Sequence, residues 1–241
     1  RLTGLVARCR TQTGAPPEMS IAVDTKDCTA LSDAELVDMA DLCAEALHNH
    51  EIGTLSKQAE AWVLITQARD DGKLKGFAFC TLERIGGTPC VLVGLASVRR
   101  TAKRDTVLRA MIQDQLRRAV LAFPDEDVLI SARFGHPGAF DAFRNLNDIV
   151  PRPGHRATGE ERAWGGRLAK RYGIETSAYD QRSFVARGDG SGPAAVFDHE
   201  TLHPEQIDLE VAARFDGLHA HKGDSLIAFG WAMEEDLRKY A

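Results

Sequence analysis

Four cationic side chains lie within six residues, immediately before an amphipathic helix: Arg99, Arg100, Lys103 and Arg104. The first turn of a helix offers unpaired backbone N–H groups and a partial positive charge, and guanidinium groups add charge-assisted hydrogen bonds. The segment therefore predicts an anion site, and a solvated basic turn is the alternative. Asp105 opposes an anion, because a carboxylate at the helix start competes for the same N–H groups.

A second motif, His199-Glu200-Thr201-Leu202-His203, matches HExxH. In zinc peptidases this motif lies within a helix, so that both histidines share one face. Here Pro204 follows directly, and the residue before a proline is biased away from helical angles. We expect Pro204 to open the next helix and leave both histidines in the preceding turn. A metal-dependent hydrolase, with His219 or His221 as third ligand, remains a minor alternative, and no metal site is predicted.

A strand-helix-strand unit positions the basic segment. Residues 89–98 are almost continuously apolar, which is typical of a central strand, and Gly94 in their middle indicates a bulge or a close backbone approach. An amphipathic helix follows Thr106 and ends at Pro124, and residues 127–134 form another strand. A crossover of this length implies a parallel pair.

An antiparallel meander precedes this unit. Residues 62–68 and 76–85 form strands joined by the turn signal Asp70-Asp71-Gly72, and Gly86-Gly87 turns the chain again. Residues 32–35 form a capping box that opens a helix. The apolar stripe of that helix contains Leu36, Met39, Ala40, Cys43 and Leu47.

Residues after 134 give weaker signals. We expect a short helix over 139–146, a linker over 148–158, and a basic helix that opens with the capping box 158–161 and ends at Gly173. Later elements are a strand over 182–187, a glycine-rich loop over 188–193, a helix over 204–215 and a strand over 225–232.

This element order resembles the GNAT superfamily of acyl-CoA N-acyltransferases over about residues 21–147. The local residues that carry the resemblance are Asp71-Gly72, Gly76-Phe77-Ala78, Gly94 and the arginine run. The fold class is α/β (α+β): a mixed, mainly antiparallel sheet with a strand-helix-strand crossover, plus a C-terminal α/β extension. The family's pyrophosphate loop, Gln/Arg-x-x-Gly-x-Gly/Ala, reads here as Arg99-x-x-Ala102-x-Arg104, so both glycines are replaced.

The resemblance implies acetyl-CoA or another acyl-CoA as cofactor and an amine as acceptor. It places the acyl arm in a cleft between the central strand and the parallel strand that follows. The cofactor-binding residues implied are Leu95, Ser97, Val98, Arg99, Arg100, Ala102, Lys103, Arg104 and Thr106. Glu83 is the preferred general base and His136 a second catalytic candidate. The family's usual tyrosine acid corresponds to Arg144, which is a poor acid.

Composition sets the remaining expectations. The net charge of -5 argues against a nucleic-acid partner, and no apolar run is long enough for a membrane helix. Five scattered cysteines without CxxC spacing indicate reduced thiols and a cytoplasmic protein. We expect an N-terminal arm (1–20), a GNAT-like core (21–147) and an extension packing on it (148–241). The substrate is a small-molecule or protein amine, a homodimer is left open, and a non-catalytic binding module of the same fold is the main alternative.

Overall fold

The computed structural model describes residues 21–46 and 48–240, so the predicted N-terminal arm, Cys9 and Leu47 lie outside the described residues. The strands are β1 (Ala22–Asp27), β2 (Leu64–Asp70), β3 (Lys73–Ile85), β4 (Thr88–Val98), β5 (Val128–Phe134), β6 (Asn147–Val150), β7 (Tyr179–Asp180), β8 (Val185–Ala186), β9 (Phe197–Asp198) and β10 (Ser225–Ala232). The α-helices are α1 (Asp33–Ala44), α2 (Ile52–Ala61), α3 (Arg104–Ala122), α4 (Gly159–Arg171), α5 (Leu209–Ala213) and α6 (Glu234–Leu237).

Local chemistry fixes several element boundaries. Both predicted capping boxes are confirmed: the Ser32 hydroxyl accepts from Glu35 N and the Glu35 carboxylate accepts from Ser32 N, and Thr158 and Glu161 do the same at α4. The turn between β2 and β3 has positive φ at Asp71 (50°) and Gly72 (75°), as a tight hairpin turn requires. Helix α2 was not predicted, and Leu55 is its one buried residue.

The strands form one mixed sheet in the order β1-β2-β3-β4-β9-β5-β10-β8-β7, with β6 paired to β10. Strands β4 and β5 are parallel, which confirms the predicted crossover through α3, and short β9 is parallel to both. The remaining pairs are antiparallel. Residues after 147 therefore contribute strands to the sheet itself, in addition to covering it.

Strand β4 carries the bulge that Gly94 predicted. The β3–β4 register shifts between Ala78 and Cys80, whose partners are Ala96 and Val93, so that one residue of β3 faces two of β4. A Cβ atom at Gly94 would lie 2.3 Å from the indole ring of Trp62. Glycine is therefore required here by a close side-chain approach.

The core lies on both faces of the sheet. One cluster joins α3 and the C-terminal strands, and the other joins α1 and α2 to the opposite face of β2–β4. The four described cysteines are buried and free, as reduced core thiols would be. Among the described helices, none has the length and hydropathy that a membrane span requires.

Four predictions for the second half need correction. The predicted linker over 148–158 begins inside β6, and the strand over 182–187 shortens to β8. The helix over 139–146 is a 3-10 helix over Pro137–Phe143. The helix over 204–215 is split into a 3-10 turn over Pro204–Gln206 and α5, because Ile207 is extended and the Asp208 side chain caps a new helix by accepting from Glu210 N and Val211 N.

Candidate functional site

The candidate site is the fork where β4 and β5 separate. The two strands pair from Cys90–Leu129 to Val93–Ala132 and then part, directly before the bulge in β4. A parallel pair that diverges leaves unpaired backbone groups on both strands. Those groups can hold an extended ligand by a strand-like ladder.

The chain itself fills this fork. Strand β9 pairs in parallel with β4, Ala96 facing Phe197 and Ser97 facing Asp198, and also with β5 through Phe134. The Ala96 N–H donates to the Val196 carbonyl oxygen at 3.1 Å. Segment 196–202 continues from β9 to the start of α3, where it contacts Arg104 and Asp105.

Most side chains of segment 196–202 are buried. Val196, Phe197, Asp198, His199 and Thr201 are buried, and the Phe197 ring lies 5.7 Å from the Phe134 ring. Apolar burial and ring contacts of this kind are typical of a core strand.

The basic segment ahead of α3 is engaged with protein groups. Arg99 pairs with Glu45, Arg100 with Glu200 at 3.0 Å, and Lys103 with Asp70 at 2.9 Å. The Arg104 guanidinium donates to the carbonyl oxygens of Glu200 and Thr201. The cations of the basic segment are thus paired with carboxylates or with backbone carbonyl groups of segment 196–202. Ala102 and Thr106 are exposed.

Asp105 binds segment 196–202 as well. Its carboxylate lies 2.9 Å from His199 Nε2 and accepts from Leu202 N at 3.0 Å and from the Thr201 hydroxyl at 3.3 Å. Asp105 was expected to compete with an anion for the N–H groups at the start of α3. In the structure its carboxylate binds groups of segment 196–202.

Both histidines of the HExxH motif lie ahead of the 3-10 turn that Pro204 opens, as the proline predicted. His199 Nε2 lies 2.9 Å from the Asp105 carboxylate, and His203 lies on the surface beside Glu205. The described part of the chain contains no group of three or more His, Cys, Asp or Glu side chains arranged to hold a metal ion.

A second layer of polar contacts lies on the other side of the segment. The carboxylate of Asp198 accepts from His48 N at 3.0 Å, and its other oxygen lies 3.6 Å from His48 Nδ1. His136 lies nearby, with Nδ1 accepting from Gly138 N at 3.0 Å. Burial lowers the pKa of His136, which keeps the imidazole neutral. His136 is thus brought to the cleft.

Glu83 lies elsewhere. It pairs with Cys90, three residues or roughly 10 Å along β4 before Val93, the last residue that pairs with β5, and so lies on the side of the fork away from β9. Its carboxylate accepts from Arg171 Nε at 2.6 Å. The structure therefore does not bring Glu83 and His136 together.

Tyr172 lies at the fork, although no sequence pattern placed it there. Its hydroxyl lies 3.3 Å from the Val93 carbonyl oxygen and 3.3 Å from Ser131 Oγ, at the point where β4 and β5 begin to part. Its ring packs 6.1 Å from Trp62, and burial raises its pKa. A bulky aromatic residue just after a capped helix was the available signal, but no pattern showed where the helix would pack.

Leu95, Ser97 and Val98 are buried on β4, and Ser97 Oγ has no hydrogen-bond partner among the described residues. Segment 196–202 was missed in the sequence. Its two-residue strand is too short for periodicity, and the neighbouring glycine-rich loop suggested irregular structure.

Comparisons with known proteins bear on the fold. No protein-family model matches the sequence, and no curated protein matches it. Solved structures of GNAT N-acetyltransferases are similar to this chain in fold. The sheet itself, with parallel β4 and β5 joined through α3 among mainly antiparallel pairs, is the mixed fold that the sequence predicted.

Three such structures show the extent of the likeness. The ribosomal-protein-S18-alanine N-acetyltransferase from Escherichia coli is 11% identical with a TM-score of 0.46, covering 88% of this chain and 95% of that one. A GNAT family N-acetyltransferase (YhbS) from Escherichia coli in complex with CoA is 14% identical with a TM-score of 0.40, covering 54% and 71%. A GNAT family acetyltransferase from Brucella melitensis in complex with acetyl-CoA is 15% identical with a TM-score of 0.32, covering 45% and 75%.

An acyl-CoA arm does not fit the described cleft. The backbone N–H of Ala96 already donates to the Val196 carbonyl oxygen, and the backbone of β9 lies between β4 and β5. The arm and β9 cannot both lie between β4 and β5. The cofactor-binding residues expected from the sequence remain predictions, and in this conformation most of them contact protein.

Proposed function

We propose that this chain uses the GNAT-like fold for binding and not for acyl transfer, with segment 196–202 in the place of an acyl-CoA arm. One observation carries the proposal: β9 lies parallel between β4 and β5 and takes up the hydrogen-bonding groups of the fork. The cations of the basic segment are matched by protein groups, and the position expected for the acid carries Arg144.

The energetic cost of displacing the segment supports the same conclusion. Exposing a buried valine or phenylalanine side chain costs about 1.5–3 kcal/mol each, so releasing Val196 and Phe197 costs about 3–6 kcal/mol before any hydrogen bond is counted. Every 1.4 kcal/mol is tenfold in affinity, so an acyl-CoA would bind about 10²- to 10⁴-fold more weakly than to an open cleft.

Isothermal titration of the full chain with acetyl-CoA and with free CoA tests this proposal. We expect no saturable heat up to millimolar ligand. Stoichiometric binding of either compound would overturn the proposal.

The second candidate is an acyl-CoA-dependent N-acyltransferase that acts on a small-molecule or protein amine after segment 196–202 has moved. Tyr172 favours it, because a hydroxyl at the fork is placed to donate a proton to a leaving group there. Free-thiol release from acetyl-CoA with a panel of amines tests this candidate. Turnover that falls at least tenfold in Tyr172→Phe while the variant stays folded would support the enzyme, and absence of turnover supports the binding module.

A further inference from the structure

Arg133 is the first residue of β5 beyond its pairing with β4, which ends at Ala132. Alternate residues of a strand share a face, so the Arg133 side chain lies on the same face as Ser131, roughly 7 Å along the strand. The Tyr172 hydroxyl, at the end of α4, contacts Ser131 on that face. Phe134 faces the other way, towards Phe197. Arg133 therefore lies at the fork, but on the side opposite the Phe197 ring.

The guanidinium group of Arg133 is held by only one of its nitrogens. Its Nε donates to Ser225 Oγ at 3.1 Å, and Ser225 is fully buried. Nη1 and Nη2 donate to no atom within residues 21–46 and 48–240, and both keep some exposed surface. Arg118 and Arg171 are also partly buried, and each pairs with a carboxylate. Arg133 differs from them, because its only bond in the described chain is to a neutral hydroxyl.

The charge of Arg133 lacks a counter-ion. Burial lowers the pKa of its guanidinium, the Tyr172 hydroxyl opposes the shift, and no carboxylate among the described residues does so. Arginine nevertheless stays protonated in proteins, and a charged side chain is rarely removed from water without a partner. A partly buried cation with two free nitrogen groups therefore favours an anion from outside the chain.

The geometry of Arg133 selects among anions. Nη1 and Nη2 lie in one plane and present parallel N–H groups, which match the two oxygens of a carboxylate. Arg171, the other cation near Tyr172, is already paired with Glu83 at 2.6 Å. One free cation suits one negative charge better than the two of a phosphate. The rings of Tyr172 and Trp62, 6.1 Å apart and both partly exposed, offer apolar surface beside it.

We infer that Arg133 anchors a small organic monocarboxylate on the α4 side of the fork. Nη1 and Nη2 donate to the two carboxylate oxygens, while Ser225 holds Nε and fixes the plane of the guanidinium group. The inference supplies a ligand class for the proposed binding function and rests on that function to this extent. It does not require segment 196–202 to move, because Phe197 lies on the opposite face of the sheet.

Isothermal titration of the full chain with benzoate tests the inference. We expect saturable one-to-one binding with a dissociation constant of about 10 mM or below. Benzamide has the same shape without the charge, so it should bind at least about tenfold more weakly. Inorganic phosphate should also bind more weakly than benzoate. Absence of benzoate binding, or equal affinity for benzoate and either other compound, would overturn the inference. A separate titration with acetyl-CoA tests the proposed function, so the two ideas can fail independently.

Three variants tie the binding to Arg133. Arg133→Gln removes the charge, so affinity for benzoate should fall about tenfold or more while affinity for benzamide stays the same. Arg133→Lys keeps the charge but lacks the planar fork, so a smaller loss is expected, and it serves as the test if circular dichroism shows that Arg133→Gln does not fold. Arg182→Gln, at an exposed arginine between β7 and β8, is the matched charge control. Benzoate affinity that is unchanged in both Arg133 variants, or that falls equally in Arg182→Gln, would contradict the site.

Discussion

Replacing Phe197 with alanine tests whether segment 196–202 is a permanent part of the core. Phe197 is 1% exposed and packs 5.7 Å from Phe134 between β4 and β5. Deleting a buried aromatic ring removes its transfer free energy and leaves a cavity, which together cost about 3–5 kcal/mol. We therefore expect Phe197→Ala to lower the free energy of unfolding by that amount.

Urea unfolding, followed by circular dichroism and by tryptophan fluorescence, measures this loss. Leu209→Ala is the control, because Leu209 is 86% exposed and its loss should cost less than about 0.5 kcal/mol. A loss below about 1 kcal/mol for Phe197→Ala would refute the reasoning. It would mean that the segment is held loosely, and the acyltransferase candidate would then be favoured.

The remaining predictions concern the bulge and the buried histidines. Gly94→Ala should lower the free energy of unfolding by about 1–3 kcal/mol, because the added Cβ would meet the Trp62 ring. Gly53→Ala in helix α2 is the control: its Cβ would have no neighbouring atom within 4 Å outside the helix backbone, so the substitution should raise the free energy of unfolding by up to about 1 kcal/mol. Urea titrations that show no difference between the two variants would contradict the packing argument. Burial lowers the pKa of both His50 and His136, so the unfolded chain binds protons that the folded chain does not, and stability should fall as the pH drops below about 6.5. Thermal melts between pH 8 and pH 5 check this, and a melting temperature that rises on acidification would count against it.

The first half of the fold was predictable because its signals are local. Capping boxes, a hairpin turn with positive φ and a long apolar strand are each specified by residues near one another in sequence, and the structure has all of them. The bulge at Gly94 was also predictable, since glycine in the interior of a strand commonly marks a bulge or a close approach.

The candidate site was not predictable to the same degree, because long-range contacts decide it. The arginine run has the charge of an anion site, but whether those charges are free depends on acids elsewhere, such as Glu45 and Glu200. Segment 196–202 reaches α3 across about ninety residues of chain, for example from His199 to Asp105. No periodicity within a two-residue strand encodes that contact.

The position of β10 has a consequence for how the chain folds. Strand β5 is flanked by β10, and the Ser131 hydroxyl donates to the Ala228 carbonyl 97 residues later. Loop closure of that length must precede completion of the sheet, so folding should be slow and controlled by non-local contacts. A nascent chain that has reached only residue 147 would present β5 as an open, apolar edge, which is the kind of edge that pairs with other chains. We therefore expect the chain to be prone to aggregation during synthesis until β10 has been made and has paired with β5.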